Sequence, residues 1–143
     1  MIVYLDILVN LKIRVKKEKN KMNIKTQEIF ALYELLNGNA EINQNKMAVS
    51  TAYKLIRNKK KLETEYYNII EMRDSIVRSY GEPDEEGKVT IPKDKIEEAN
   101  KKLYDLQMIE YDIDLQPINL SELENLEVSL STIEILDPII EED

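Results

Sequence analysis

The chain contains no cysteine, no histidine and no tryptophan, one phenylalanine and only three glycines. Each absence removes a class of chemistry. Without cysteine there is neither a disulfide framework nor a thiolate metal site, which suits a reducing interior. Without histidine the usual general base and the usual zinc ligand are missing. The glycines are too few, and wrongly spaced, to build a phosphate-cradling loop. No apolar run is long enough to span a bilayer. These exclusions leave no catalytic or metal motif, and the expectation is a protein that is not an enzyme and carries no cofactor.

What is present is charge, and it is segregated. Of the 143 residues, 1–21 carry six basic and two acidic groups, and 22–102 carry 14 of each. Residues 103–143 carry 12 acidic groups and no lysine or arginine. Such a body repels nucleic-acid backbones and membrane surfaces and favours basic protein partners. The length suits one domain with a modest core. Eight tyrosines beside many Asn, Ile and Lys reflect an AT-rich coding sequence, a property of the genome and not of the function.

The segment "KKEKNKMNIKTQEIF", residues 16 to 30, places a second methionine inside a run of lysines. Purine-rich codons for Lys17-Glu18 would contain a ribosome-binding sequence at the usual distance from Met22. Residues 1–21 then read as a translated leader. The competing reading is an extra strand, because Val9 to Val15 alternates apolar and polar at the period of a half-buried strand. A secretory signal fits poorly, since the basic residues follow the apolar stretch and Asp6 interrupts it.

Downstream of Met22 the periodicity predicts a mainly α (α+β) fold, a single domain over 22–143. Thr26 to Leu36 forms a short helix with Thr26 as cap, stopped by Asn37-Gly38-Asn39. A long helix from about Gln44 to Tyr80 carries a heptad seam through Ala48, Ala52, Leu55, Lys59, Leu62, Tyr66, Ile69, Arg73, Ile76 and Tyr80. Gly81 to Gly87 is dense in turn formers, Lys88 to Ile91 makes a short strand or β-turn arm, and Pro92 opens a second helix over 93–108. Together these predict a long antiparallel helical hairpin, 44–108, with an acidic tip. Its second arm covers about half of the first. The seam at Ala48, Ala52, Leu55 and Leu62 must therefore meet the 26–36 helix or another chain, and a homodimer or obligate complex is expected.

The pattern then changes to a small strand-plus-helix appendage, the acidic part 109–143. Ile109, Tyr111, Ile113 and Leu115 alternate with Glu110, Asp112 and Asp114, the signature of a strand with one solvent face. Ser121 to Glu124 starts a helical turn. Ser129 or Ser131 caps a last helix that Pro138 keeps short.

The stretches "MNIKTQEIFALYELLN", "NKKKLETEY", "YGEPDEEGKVTIP" and "EYDIDLQPINLSELENLEVSLSTIEILDPII" resemble a family of small proteins of unknown function. Siphophages and prophages of low-GC Gram-positive bacteria encode that family. The resemblance covers residues 22–143, which favours the leader reading. It implies a viral protein in the cytoplasm of a bacterial host cell, and it transfers no catalytic residues.

Two charged clusters merit weighing. Glu110, Asp112 and Asp114 stand about 7 Å apart on one strand face, a spacing open to a hard cation, but no calcium-type loop accompanies them. A solvated face that blocks edge pairing is the plainer reading. With Glu122 and Glu124 they form the expected docking surface for a basic protein. Lys54, Arg57, Lys59, Lys60 and Lys61 form a basic patch, read as a phosphate or nucleic-acid contact, or more plainly as the solvated face of a helix or a counterpart to the acidic C-terminal part. Lys59 and Arg73 fall in the seam, where snorkelling at its edge is expected. The functional expectation is a protein-binding factor, an inhibitor of a host defence or regulatory complex. The alternative is an accessory protein or chaperone of tail or head assembly.

Overall fold

A computed structural model describes residues 21–143. The alternating stretch Val9 to Val15 and the leader reading lie outside the described residues. Strand β1 (Lys21–Lys25) buries Ile24 and half-buries Met22, while Lys21, Asn23 and Lys25 face out. It pairs antiparallel with β4 (Glu110–Asp114), setting Lys21 opposite Asp114 and Lys25 opposite Glu110. Opposite charges at facing positions favour this register.

Helix α1 spans Thr26–Leu36, the range the periodicity predicts. Its cap differs from expectation. Lys25 occupies the cap position, and the Glu28 carboxylate accepts from its N–H at 3.0 Å. The Thr26 hydroxyl lies instead between the carbonyls of Leu106 (3.1 Å) and Ile109 (3.0 Å), tying α1 to a distant segment. Gly38, at φ +95°, makes the left-handed turn that follows. Asn39 then caps a five-residue helix α2 (Ala40–Gln44) by accepting from the Ile42 N–H at 3.3 Å.

The long helix is shorter than expected. It begins at Val49, not Gln44, because Asn45 leaves the helical conformation. Its side-chain amide donates to the Glu41 carbonyl (2.7 Å) and the Glu127 carbonyl (3.2 Å), and its side-chain oxygen accepts from the Glu127 N–H. Helix α3 (Val49–Tyr80) has 32 residues, about 48 Å. Its buried residues are Thr51, Leu55, Asn58, Leu62 and Ile69. Past Ile69 it is covered only in part.

There the chain turns through β2 (Glu82–Pro83) and β3 (Val89–Thr90), an antiparallel pair. Gly81 sits so close to Val89 that an added Cβ would overlap its side chain. Asp84 steadies the acidic tip by accepting from the Glu86 and Lys88 N–H groups. Helix α4 (Lys93–Gln107) then runs back along α3. The Tyr80 hydroxyl donates to Glu98 at 3.2 Å, and Leu106 lines one groove with Met72 and Ile76. Only Ala99 and Leu106 of α4 are buried, so the outer arm has a thin core.

The C-terminal part folds back over the first half of α3. Strand β5 (Ile118–Asn119) pairs in parallel with β6 (Ile140–Glu141). Between them lie a 3-10 turn at Leu120–Leu123, helix α5 (Leu130–Leu136) capped by Ser129, and a second 3-10 turn at Asp137–Ile139 containing Pro138. The main core joins Ile29 and Leu32 of α1, Leu62 and Ile69 of α3, and Leu115, Ile118, Leu136 and Ile139. The fold is mainly helical with small strands. No described helix is long and apolar enough to cross a membrane.

Candidate functional site

The long helix presents a polar stripe to the acidic C-terminal part. Thr51, Lys54, Asn58 and Lys61 recur at steps of three and four, which places them on one face. The Lys54 ammonium donates to both Glu122 oxygens at 3.0 Å. Lys61 meets Asp114 at 3.2 Å. Between these two ion pairs the fully buried Asn58 amide donates to the Gln116 carbonyl at 2.9 Å, and its oxygen accepts from the Gln116 N–H at 2.7 Å. The ion pairs are partly exposed and hold by geometry more than by energy. The buried Asn58 pair is the firmer tether, because an unmade hydrogen bond there would leave two backbone groups unsatisfied.

Glu122 also accepts from the Asn119 N–H at 2.9 Å and from the Thr51 hydroxyl at 3.4 Å. The Asn119 amide first, then Lys54, hold its carboxyl below the ordinary glutamate value. The five acids expected to bind a partner are thus divided. Asp114 and Glu122 turn inward to lysines of α3. Glu110, Asp112 and Glu124 are exposed and form no ion pair among the described residues. Among the described residues no trio of carboxylates gathers as a metal-holding group.

The basic patch divides in the same way. Lys54 and Lys61 are engaged, and the Arg57 guanidinium stands 5.7 Å from the centre of the Tyr53 ring on the exposed side. Lys59 and Lys60 line a groove of about 950 Å³ between α3, α2 and the linker that joins them.

The seam needs correction. Of the two coverings expected for this end of the seam, the 26–36 helix or another chain, the first is what buries Leu55 and Leu62. Helix α1 covers them: Tyr33 and Phe30 stack against Tyr66 at ring distances of 4.2 and 4.9 Å, one turn beyond Leu62. Ala48 is an exposed cap residue and Ala52 is half-buried. The buried face is also rotated from the seam. Thr51 and Asn58 are inside where Ala52 and Lys59 were expected, because what they face is polar backbone and a carboxylate. Arg73 lies 5.7 Å from the centre of the Phe30 ring, exposed as expected of a residue at the seam's edge.

Sequence reasoning missed three tethers. One is Asn58 with Gln116. The second is Asn45 with Glu127. The third is Glu41, which accepts from the Ser129 N–H, from the Ser129 hydroxyl at 3.2 Å and from the Thr132 hydroxyl at 2.6 Å. The Thr132 hydroxyl is the main reason that the Glu41 carboxyl lies below its ordinary value. Only Asn58 carried a signal: an uncharged polar residue three after Leu55 and four before Leu62.

Protein-family models, curated proteins and solved structures were compared with the chain, and none matches.

Proposed function

We propose that the chain is a non-catalytic, phage-encoded protein-binding factor that acts in the cytoplasm of a bacterial host. It occupies a basic site on a host defence or regulatory complex. The observation that carries this reading is the division of the acidic part. Two of its carboxylates are neutralised by lysines of the same chain, while Glu110, Asp112 and Glu124 remain exposed and in no ion pair among the described residues, with Lys25 the one cation opposite them in the strand register. A surface of that kind attracts a basic partner and repels polyanions.

The outer helical arm favours a second reading, an accessory role in tail or head assembly. Its exposed Met72, Ile96 and Tyr104 stand on a thinly covered two-helix projection, the form of a scaffold contact. Affinity capture from infected cells separates the readings. A host nuclease or regulatory subunit, retained by the native chain and lost from Glu110→Lys/Asp112→Lys/Glu124→Lys, supports the first. A phage structural protein, lost on substitution of the arm, supports the second.

A further inference from the structure

The groove lined by Lys59 and Lys60 has a character opposite to the acidic face. Its lining is apolar for the larger part, with Leu36, Met47, Ala52 and Leu55 beside the polar Asn37 and Asn43, and Ile56 stands on its wall with 51% of its surface exposed. Its rim carries Lys46, Lys59 and Lys60, none of them in an ion pair among the described residues. One carboxylate, Glu63, lies at the end nearest Tyr33, whose hydroxyl donates to it at 3.4 Å. The wall opposite α3 is preformed, because the Asn45 side chain fixes the linker to both Glu41 and Glu127. From Ala52 to Glu63 the groove follows α3 for about 16 Å, three turns of a docked helix.

We propose that this groove captures an acidic amphipathic helix of a partner protein. Apolar side chains of that helix pack on Met47, Ala52 and Ile56, and its carboxylates meet Lys46, Lys59 and Lys60. Helix-in-groove recognition uses this combination of an apolar floor and a charged rim.

Charge complementarity selects the occupant. Residues 21–143 carry 26 acidic and 15 basic groups, so a long polyanion such as nucleic acid would meet repulsion beyond the groove. A short helix with a few carboxylates stays within about 8 Å of the lysines, one screening length at physiological salt. The floor also favours apolar side chains over a sugar-phosphate backbone, whose phosphates would meet only the rim lysines. This inference does not rest on the acidic face and survives or fails separately from it.

The test uses the full chain and two fluorescent helical peptides of roughly 14 residues, about 21 Å long. Both carry leucines along one face; one has glutamates on the flanks and the other lysines. Fluorescence anisotropy should show the glutamate peptide binding at least about tenfold more tightly, with affinity that falls as salt rises. Ile56→Glu and the pair Lys59→Glu/Lys60→Glu, all at accessible positions, should each abolish that preference while the circular-dichroism melt is unchanged. Equal binding of the two peptides, or binding that survives these substitutions, overturns the proposal. So does tighter binding of a single-stranded oligonucleotide, or self-association in sedimentation that Ile56→Glu removes. A variant that fails to melt cooperatively is replaced by Ala52→Trp, which fills the groove without charge and should also block the glutamate peptide.

Discussion

Asn58 and Gln116, 58 residues apart in sequence, exchange both hydrogen bonds of an amide pair: the Asn58 side chain plays the part of a neighbouring strand for the Gln116 backbone. This contact joins the long helix to the acidic C-terminal part where Leu115 and Ile118 enter the core. Asn58→Ala leaves the N–H and carbonyl of the half-buried Gln116 without these partners, a loss of roughly 1–3 kcal/mol. Asn58→Asp restores the acceptor but not the donor, and buries a charge. Both variants should unfold at lower urea than the native chain, and equal midpoints would show that water replaces the amide.

Leu62 decides between an internal and an intermolecular seam. It is fully buried, packed with the core that α1 supplies. Leu62→Ala should cost about 2–5 kcal/mol through the lost contacts and the cavity. Leu62→Glu should abolish the cooperative melt of the single chain, since an unpaired charge cannot be accommodated there. Ala48→Glu, at an exposed position of the same expected seam, should leave the melt unchanged. A folded Leu62→Glu monomer, seen by sedimentation and circular dichroism, would restore the intermolecular reading.

The parts of this fold that were legible in the sequence are those where periodicity speaks alone. Thr26–Leu36 and the alternation of Glu110 to Asp114 follow from side-chain spacing, and both stand where expected. The break at Asn45 was hidden because its cause, the Glu127 backbone, lies 82 residues away. The rotation of the α3 core toward Thr51 and Asn58 was hidden for the same reason. Apolar counting ranks Ala52 and Lys59 on the seam, and only the position of Gln116 and Glu122 makes polar residues the better choice. The division of the acids is a tertiary fact too: Glu110 and Asp114 look alike in the strand pattern, but only Asp114 comes within reach of Lys61.

Acid should loosen the attachment of the C-terminal part. The Glu122 carboxyl lies below its ordinary value of 4.5, through the Asn119 amide and Lys54. Glu41 is lowered likewise, by the Thr132 hydroxyl first. A group lowered by folding adds stability that is complete above its unfolded value and is lost as pH falls through the folded one. Glu122→Gln should therefore melt below the native chain at neutral pH. The gap should narrow below pH 4.5 and close once the native carboxylate is protonated. A gap that stays constant with pH would assign the effect of the substitution to shape and not to charge.

Charge reversal on the acidic part should separate binding from folding residue by residue. Asp114 and Glu122 face Lys61 and Lys54, so Asp114→Lys and Glu122→Lys set like charges within the distances now occupied by ion pairs, 3.2 and 3.0 Å. Both should lower the melting temperature, modestly, because exposed pairs contribute about 0–1 kcal/mol and repulsion there is screened to a similar degree. Asp112 and Glu124 are exposed and face no cation in the strand register, so their reversal should leave the melt where it is, while Glu110→Lys, set opposite Lys25, should lower it slightly. The role of all three is expected in association instead. A basic partner is drawn by the summed field of these carboxylates, so the triple reversal should slow association while dissociation changes little. The native association rate should fall as salt rises toward physiological strength, where the field reaches only about 8 Å. Surface plasmon resonance on a captured partner reads both rates. Should the triple variant associate at the native rate while Asp114→Lys and Glu122→Lys alone impair it, the outward carboxylates serve solubility and the docking surface lies elsewhere on the molecule.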